Sequence, residues 1–324
     1  MILTVTLNPL LERRISYKNI NYGHVNRGGQ LKLNAGGKGI NVSRQLKNLG
    51  VDNIALTFAG GTSGKEFKDS IHHEGIKSVL VRSEAATREG LIVIDKSGNS
   101  ITSCFSADSE ITSSEAEEFK VKLEKIIPNF EFIILSGSSP CSTTDSIFPA
   151  AIEWGIKNDK IVICDTYGKH LKDCIEAGPT IIHNNLEEIN SSLNLQLRSE
   201  EDQISFLNSL YAKNVKQAYI TDGAKAFYAS NFDYHFRAEV PSVKAVDPTG
   251  SGDAFVAGLA YGWENDLIFE DTLKTAAALG AANAVTFEPC NLFPADYENL
   301  KGSVVVISIG KKMKVLDVTP RIVN

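Results

Sequence analysis

The sequence lacks the cysteine pattern of a disulfide framework or a zinc site. Its five cysteines, an odd number, are scattered over 324 residues without metal-ligand spacing, which favours a reducing compartment. No apolar run approaches the roughly 18 residues that a membrane span requires. No basic segment followed by a long apolar run, the mark of a secretory signal, precedes the first predicted strand. We therefore expect a cytoplasmic protein that does not associate with membranes.

The sequence also lacks an excess of positive charge. Lysine and arginine number 33 against 39 aspartates and glutamates, and the formal net charge is −6, which argues against a nucleic-acid-binding surface. The six histidines show no metal-ligand spacing. No Gly-x-Gly-x-x-Gly motif follows the first predicted strand, which excludes an ordinary dinucleotide-binding oxidoreductase. The expected partners are therefore small molecules.

Strand-like and helix-like segments alternate along the chain. The strand-like runs are 2–7, 54–59, 132–136, 161–165, 180–182 and 218–221. Helical patterns cover 114–127, 144–157, 200–213 and 270–285. Repeated β-α units predict a mostly parallel sheet with helices on both faces, and ligands beyond the carboxyl ends of its strands. The length and the 43% hydrophobic content predict one α/β domain over residues 1–324.

Two stretches interrupt this alternation with β patterns, about 12–33 and about 88–105. In the second, the runs 91–94 and 101–105 flank a hairpin-like turn at 95–99. The two stretches predict a small sheet beside the main body. The C-terminal extension, about 302–324, contains a strand-like run at 304–309 and a basic turn at 311–314. We interpret the extension as an added sheet edge or a subunit contact.

The stretch 246–258 combines a turn stiffened by proline, two glycines around a serine, and an Ala/Gly-rich helix that begins near Asp253. A helix start exposes unpaired N–H groups and a partial positive charge, so Gly250, Ser251 and Gly252 predict an anion hole. Asp253 lies at the same place and is a candidate general base. Phosphoryl transfer to an alcohol requires such a base beside an anion hole. The spacing alone equally permits an ordinary helix N-cap.

A second glycine loop, residues 34–44, also leads into a predicted helix. With the first stretch and the opening Thr6-Leu7-Asn8-Pro9, it resembles the PfkB sugar kinases of the ribokinase superfamily, in the branch of 1-phosphofructokinases and tagatose-6-phosphate kinases. The resemblance implies a ribokinase-like three-layer α/β/α fold with a small β lid that often makes a dimer contact. It further implies ATP-dependent phosphoryl transfer to a hydroxyl of a ketohexose phosphate, with ATP and Mg²⁺ bound.

The resemblance also assigns residues to the sugar side of the site. Gly37 and Asn41 match sugar contacts, and Lys38 matches a mobile charge for the phosphates, where a solvated loop lysine is the alternative. Arg88 and Arg27 match cationic positions at the lid, and arginine suits phosphate oxygens, although a lone arginine is usually a surface residue. The remaining sugar-side matches are Ser138, in the loop after a buried strand, and Glu12.

The nucleotide side is less regular. Asn184-Asn185-Leu186-Glu187-Glu188 resembles the family's Asn-x-x-Glu, which places Asn185 near the nucleotide phosphates and lets Glu188 organise Mg²⁺ through water. Asp165, at a strand end, is a further candidate for holding the metal. The loop at 221–225 resembles an ATP loop, which implicates Thr221 and Gly223. The remaining matches are Asn283 for the adenine, with a polar surface residue as the alternative, and Asp247 for a monovalent cation such as K⁺.

Several positions depart from the family pattern. Glu12 replaces the usual aspartate, and its extra methylene moves a sugar-binding carboxylate by about a bond length, enough to alter which ketose fits. His183-Asn184-Asn185 replaces the usual Lys-Pro-Asn, Ala226 replaces a common glycine, and the stretch 104–111 lacks the expected Asn-Glu-x-Gly-Pro. These changes leave the base and the anion hole in place. They bear on substrate identity more than on reaction type.

The first hypothesis is a kinase that converts fructose 1-phosphate to fructose 1,6-bisphosphate. Tagatose 6-phosphate and fructose 6-phosphate are alternative acceptors that the same residues permit. A hypothesis from another class is a catalytically weak sugar-phosphate sensor, which the altered nucleotide loops and Glu12 suggest and an intact Asp253 argues against. In each case the expected partners are a sugar phosphate and ATP, and the resemblance implies a homodimer formed through the lid.

Overall fold

A computed structural model describes residues 1–309. In chain order, the strands are β1 (Ile2–Thr6), β2 (Leu10–Tyr17), β3 (Gln30–Gly36), β4 (Asn53–Gly60), β5 (Ser78–Ser83), β6 (Arg88–Asp95), β7 (Ser100–Phe105), β8 (Phe132–Ser136), β9 (Ile161–Asp165), β10 (Ile181–Asn185), β11 (Gln217–Thr221), β12 (Phe227–Asn231), β13 (Tyr234–Glu239) and β14 (Val305–Ile309). The helices are α1 (Lys38–Asn48), α2 (Gly61–His73), α3 (Ser113–Ile126), α4 (Ile147–Lys157), α5 (Leu171–Glu176), α6 (Leu186–Leu193), α7 (Glu200–Tyr211), α8 (Ser251–Glu264), α9 (Phe269–Ala284) and α10 (Pro294–Lys301).

Most of the strands form one large sheet. Over residues 1–309 it has ten strands in the order β14-β13-β12-β11-β10-β9-β8-β1-β4-β5. The strands from β11 to β5 along this order pair in parallel, whereas β12, β13 and β14 extend the sheet in antiparallel fashion. Because β9, β10 and β11 run in the same direction, their carboxyl ends lie side by side at one edge of the sheet. Helical crossovers connect such parallel strands.

Two apolar clusters cover the two faces of this sheet. In β8, Ile133 and Leu135 pack into the cluster that also holds residues of α3, α4, α5 and α7. Phe132 and Ile134 pack into the cluster that contains residues of α1, α8 and α9. Successive strand residues point to opposite faces, so one buried strand supplies both clusters. The result is three layers, helix, sheet and helix, which confirms the predicted α/β class.

A separate four-stranded sheet has the order β3-β2-β6-β7. Its strands come from the two stretches in which β patterns interrupt the alternation of strands and helices. Leu11 of β2 and Ala35 of β3 pack with Ile40 of α1 and Phe67 of α2 in a third apolar cluster, which ties this small sheet to the main body. Its action as a lid and its part in a homodimer remain predictions.

Several predicted boundaries agree with the structure and others shift. Strands β8 and β9 have the predicted bounds. Helix α4 begins at Ile147 rather than at Thr144, because Ser142–Thr144 forms a separate 3₁₀ turn first. In the C-terminal extension, β14 pairs with β13 and adds a strand to the sheet edge. The predicted basic turn at 311–314 lies outside the described residues.

All five cysteines lie within the described residues and are free, as the odd, scattered pattern predicts. Among the helices of residues 1–309, none is long and apolar enough to cross a lipid bilayer. The cytoplasmic location remains a prediction.

Candidate active site

The candidate site lies where the carboxyl ends of β9 and β10 meet the first turns of three helices. Asp165 is the last residue of β9, Glu188 lies in the first turn of α6, and Lys38 opens α1. Asp253 lies in the first turn of α8. Each helix start carries a partial positive charge and free N–H donors. Three such ends beside two strand ends favour an anionic ligand.

Asp253 is the candidate general base of this site. Its side chain is buried, and its Oδ2 accepts a hydrogen bond of 2.7 Å from Asn41 Nδ2. Asn41 lies on α1, 212 positions before Asp253, so this contact joins the two glycine loops. Oδ1 of Asp253 makes no hydrogen bond to residues 1–309 and is free to accept a proton.

The environment of Asp253 raises its pKa to about 7. Burial is the main cause, because it disfavours the charged carboxylate. The positive charge of Lys38 and the Asn41 hydrogen bond lower the pKa, while the negative charges of Asp165 and Glu188 raise it. A general base works best with a pKa near the working pH, so this value suits proton abstraction near neutrality.

The residues before Asp253 were predicted to form an anion hole, and the structure shows which of their N–H groups are available for it. Gly250 has φ +83°, and a Cβ at this position would lie 2.7 Å from Pro289 Cβ, so glycine is required there. Ser251 was predicted to supply an N–H group, but that N–H donates to the Pro248 carbonyl at 3.1 Å. Within residues 1–309 the N–H groups of Gly250, Gly252 and Asp253 have no acceptor. These three amides remain available for the predicted anion hole.

Asn283 holds this loop in place. Its Nδ2 donates to the Thr249 carbonyl at 2.8 Å and to Ser251 Oγ at 3.2 Å. Its Oδ1 accepts from the Cys290 N–H at 2.7 Å. The predicted adenine contact does not fit this arrangement, because the side chain is buried and both amide hydrogens are already used. We therefore interpret Asn283 as a residue that positions the anion hole.

Lys38 was predicted to be a mobile charge, and the structure instead holds it between two carboxylates. Its Nζ lies 2.8 Å from Glu188 Oε1 and 3.3 Å from Asp165 Oδ1. The ammonium also lies 5.1 Å from the centroid of the Tyr167 ring, within the range of a cation–π contact. Asp165 is wholly buried and additionally accepts from Ser136 Oγ at 2.6 Å.

Lys38 and Asp165 stabilise each other's charged forms. Burial alone would lower the pKa of Lys38, but the negative charges of Asp165, Glu188 and Asp253 outweigh it and raise that pKa. Burial alone would raise the pKa of Asp165, but the Lys38 charge and hydrogen bonds from His183 and Ser136 bring it below its usual value. Lys38 therefore stays protonated and Asp165 ionised.

Asp165 and Glu188 are also the candidate Mg²⁺ residues. Within the described part of the chain, no three His, Cys, Asp or Glu side chains group closely enough to hold a metal ion unaided. Two carboxylates converging on one cation nevertheless fit Mg²⁺, which takes few protein carboxylates and keeps several waters. Here the Lys38 ammonium is the stand-in cation, so the donor set suits the metal once Lys38 gives up a bond.

His183 joins this cluster although the sequence predicted no role for it. Its Nδ1 lies 3.0 Å from Asp165 Oδ1, and its Nε2 lies 3.2 Å from Thr221 Oγ1. The ring stacks on Phe255, with centroids 5.0 Å apart, and a Cβ at Gly252 would lie 3.4 Å from His183 Cε1. The sequence signal for a role of His183 was its position in the segment that replaces the family's Lys-Pro-Asn. Recognising it required knowing that β9 and β10 are neighbours.

We expect His183→Ala to lower kcat/KM for ATP about tenfold, since residues that orient a ligating carboxylate are commonly worth 10- to 100-fold. Asp165 and Thr221 would each lose one hydrogen bond that helps to orient the side chain. His183→Gln should recover part of the loss, because an amide can still donate to Asp165. His72→Ala, on an exposed helix end, is the control. Equal values for His183→Ala and His72→Ala would refute the role.

Of the residues predicted to contact the sugar, Gly37 and Asn41 lie at the start of α1. Gly37 has φ +111°, and a Cβ there would lie 3.0 Å from Thr6 Cγ2, so the close approach requires glycine. Asn41 was predicted to contact the sugar, but Nδ2 donates to Asp253 and Oδ1 accepts from Arg44 Nη1 at 2.7 Å. Asn41 thus positions the carboxylate with one amide hydrogen, and because the second hydrogen is left over, its sugar contact remains a prediction.

Glu12, predicted to bind sugar hydroxyls, is paired in the structure. Its Oε2 accepts a 2.8 Å hydrogen bond from Arg14 Nη1, two residues along β2 and on the same face. Both side chains are buried, and Arg14 also donates to the Phe287 carbonyl at 2.5 Å. Glu12 Oε1 makes no hydrogen bond within residues 1–309, so one oxygen remains for a hydroxyl.

Of the two predicted arginines, the structure brings one to the site. Arg88 opens β6, and its Nη2 donates to the Asn8 carbonyl at 3.4 Å. Asn8 Nδ2 donates in turn to Ser138 Oγ at 3.0 Å, which links Ser138 to the same network. Arg27 lies on the exposed segment between β2 and β3 and makes no hydrogen bond or ion pair within residues 1–309.

The predicted nucleotide residues are partly engaged in local structure. Asn185 is the N-cap of α6: its side chain accepts from the Glu188 N–H at 2.8 Å, and Glu188 Oε2 accepts from the Asn185 N–H at 3.0 Å. Gly223 has φ +59° and open space around it, as an approaching ligand needs. Asp247 Oδ1 accepts a hydrogen bond from the Thr249 N–H at 2.9 Å. The binding of a monovalent cation by Asp247 remains a prediction.

Fold and site together define an α/β enzyme of the phosphoryl-transfer class, with a carboxylate beside free amides at a helix start. The chain belongs to the pfkB family of carbohydrate kinases. A model of that family, described as "pfkB family carbohydrate kinase", matches residues 10–295.

Two relatives illustrate the similarity. The chain is 32% identical over 291 residues to a 1-phosphofructokinase of Borreliella burgdorferi, which covers 90% of this chain and 94% of the relative. It is 27% identical over 312 residues to a tagatose-6-phosphate kinase of Staphylococcus epidermidis, which covers 95% of this chain and 100% of the relative.

The fold is also that of a solved structure from Thermotoga maritima, named as a possible 1-phosphofructokinase. The TM-score is 0.86 at 22% sequence identity, with 95% of this chain and 99% of the other covered. The three-layer architecture predicted from the resemblance is thereby confirmed.

Proposed function

We propose that this protein transfers the γ-phosphoryl group of ATP to a hydroxyl of a ketohexose phosphate, with fructose 1-phosphate as the acceptor and fructose 1,6-bisphosphate as the product. The observation that carries the proposal is Asp253, a buried carboxylate with a pKa of about 7 beside three free amides. The 32% identity to a 1-phosphofructokinase supports the acceptor. Arg88, with donors at the sugar side, supports a phosphate on that acceptor.

In this mechanism the acceptor hydroxyl gives its proton to Asp253 Oδ1, while Asn41 holds Oδ2. The hydroxyl oxygen then forms a bond to the γ-phosphorus, and the bond from that phosphorus to the β–γ bridging oxygen breaks, which releases ADP. The amides of Gly250, Gly252 and Asp253 stabilise the charge on the transferring oxygens. Lys38 supplies a fixed positive charge close to Asp253.

Glu188, through water, and Asp165 are the residues that would hold Mg²⁺. When bound, the metal would neutralise charge on the nucleotide phosphates. Thr221 and Gly223 line the side of the site where the nucleotide would lie, next to His183. Asp247 is the residue we propose for a monovalent cation such as K⁺.

The test is an ADP-release assay with purified protein over a panel of sugars and sugar phosphates. Fructose 1-phosphate should give the highest kcat/KM. Turnover of free fructose or ribose, with none of the phosphorylated sugars, would overturn the proposed acceptor class. Binding of a sugar phosphate without ADP release in the presence of Mg·ATP would instead favour a sugar-phosphate sensor.

Tagatose 6-phosphate is the second candidate acceptor, because the chain is 27% identical over its near-full length to a tagatose-6-phosphate kinase. The same panel separates the two: a kcat/KM for tagatose 6-phosphate above that for fructose 1-phosphate would select it. Fructose 6-phosphate belongs in the same comparison.

We expect kcat/KM for the acceptor to rise with pH, with a midpoint near 7 set by the pKa of Asp253. Only the ionised carboxylate accepts a proton, so activity falls about tenfold for each pH unit below the midpoint. The profile should be measured at constant ionic strength. Asp253→Asn should lack this limb, and any limb that persists belongs to the acceptor phosphate, whose second pKa is about 6. A flat wild-type profile from pH 6 to 8 would contradict the assignment.

A further inference from the structure

A pocket of about 590 Å³ opens beside the start of β6. It lies between residues 85–89 and the irregular segment 106–110, and Arg88, Asp108 and Glu110 are among its lining residues. The segment 106–110 falls within the stretch that departs from the family pattern. The proposed phosphoryl transfer uses no residue of this segment.

Two buried polar atoms beside this pocket lack partners. Arg88 Nε and Asn8 Oδ1 are both inaccessible and make no hydrogen bond within residues 1–309. Asn8 is almost fully buried. Unsatisfied buried polar atoms are uncommon in native proteins and call for a ligand or a rearrangement that satisfies them.

One carboxylate oxygen of Asp108 accepts hydrogen bonds from two side chains beside this pocket. Asp108 Oδ1 accepts from Arg88 Nη1 at 3.0 Å and from Asn8 Nδ2 at 2.9 Å. An oxygen held by a guanidinium and an amide has the surroundings that a phosphate oxygen would have. Asp108 therefore stands where the phosphate of a bound acceptor would meet Arg88.

The two partners of this ion pair differ in their freedom to move. The Arg88 side chain is 19% exposed and begins on a strand, whereas the Asp108 side chain is 44% exposed and lies on a segment without regular structure. A phosphate approaching Arg88 would also meet the negative charge of Asp108. Like charges side by side are unfavourable, so Asp108 is the partner that must move away.

We propose that Asp108 is a specificity-determining residue that occupies the phosphate-binding donors of Arg88 and Asn8, so that an acceptor binds productively only when its phosphate displaces this carboxylate. The proposal rests on the proposed function. It makes Asp108 a competitor of the substrate phosphate within the same chain. Removing its charge should therefore strengthen the binding of phosphorylated acceptors.

The experiment compares wild type with Asp108→Asn and Asp108→Ala in the ADP-release assay. Asp108→Asn keeps an oxygen for Arg88 and Asn8 but loses the charge, and it should lower KM for the phosphorylated acceptor about tenfold. Asp108→Ala should lower KM at least as much. In both variants kcat and the KM for ATP should stay within twofold of wild type, since Asp108 touches neither the base nor the nucleotide side.

Glu110→Gln is the matched control, because Glu110 lines the same pocket without a hydrogen bond or ion pair within residues 1–309. It should leave KM within twofold of wild type. An unchanged KM in Asp108→Asn, or a raised KM in Asp108→Ala, would overturn the proposal, the latter because it would mean that Asp108 merely holds Arg88 in place. Thermal unfolding of each variant checks that the fold is kept.

A second measurement separates this proposal from the proposed function. Inorganic phosphate, titrated calorimetrically into each protein, should bind Asp108→Asn about tenfold more tightly than wild type. If wild type turns over no phosphorylated sugar, the proposed function fails, yet the phosphate titration still decides the role of Asp108. Equal phosphate affinities would overturn that role whatever the acceptor is.

Discussion

Asp253→Asn is expected to lower kcat about a thousandfold, in the middle of the range for loss of a general base. Asparagine has nearly the same shape and keeps an oxygen for the 2.7 Å hydrogen bond from Asn41 Nδ2. It cannot take a proton from the acceptor hydroxyl. The KM values for acceptor and ATP should change by only a few-fold, because the amides, Lys38 and Arg88 are untouched. Steady-state kinetics and calorimetric ligand binding measure the two effects separately.

A matched control is Asp271→Asn, which removes a carboxylate from the first turn of another helix, α9. That change alters the helix end but not the site, so kcat should stay within twofold of wild type. A kcat for Asp253→Asn within tenfold of wild type would remove Asp253 from the role of general base.

The same variant has a second expected effect, on stability. The pKa of Asp253 is raised in the folded protein to about 7, so the folded state holds a proton that the unfolded chain loses near pH 4. Wild type therefore loses stability as the pH rises from about 4 to 7. Asp253→Asn does not titrate, and its thermal midpoint should exceed that of wild type by a margin that grows over this interval and then stays constant.

Lys38→Met is expected to lower the free energy of unfolding by about 3–5 kcal/mol at pH 8, the usual cost of removing one member of a buried ion pair. The side chains of Lys38, Asp165 and Glu188 are only 23%, 0% and 15% exposed. Without the ammonium, their negative charges and that of Asp253 lie together with no compensating cation. Methionine preserves most of the side-chain volume, so the loss reports the charge. Urea unfolding monitored by circular dichroism measures it.

The loss in Lys38→Met should shrink as the pH falls, because carboxylates without a cation take up protons at higher pH. Added Mg²⁺ should stabilise this variant more than wild type, since a ligand that binds only the folded state raises its stability. Lys77→Met, which breaks an exposed pair with Asp52, is the control and should cost under about 1 kcal/mol. A Lys38→Met protein as stable as Lys77→Met would contradict the proposed charge cluster.

The main fold was largely predictable because its signals are local. Buried strands such as β8 and β9 are short apolar runs, and their bounds follow from the residues themselves. The start of α4 was misplaced because a 3₁₀ turn and an α-helix begin with similar residues, and only the hydrogen-bond pattern separates them. The small sheet was predictable from the two β stretches, although its pairing of β2 with β6 joins distant segments.

For the candidate site, the sequence predicted individual residues but not the hydrogen bonds between them. Asp253 and Gly250 stand in a local motif, and both lie where that motif places them. The hydrogen-bond partners of these residues were not predictable: Asn41 donates to the Asp253 carboxylate, and Asn283 donates to the carbonyl of Thr249 in the glycine loop. An amide can donate to a ligand or to a neighbouring oxygen, and the choice depends on which oxygen the fold brings within 3 Å.

By itself, the sequence determined the α/β class, the two glycine loops at helix starts and the identity of the candidate base, because each depends on residues a few positions apart. Only the tertiary structure decided that His183 is hydrogen-bonded to Asp165, that Lys38 lies between two carboxylates, and that Asp108 forms an ion pair with Arg88. These contacts depend on strand order and on the crossing of loops, so no short stretch of sequence contains them. The Ser251 N–H shows the same limit at short range, since a single hydrogen bond to Pro248 removes it from the anion hole.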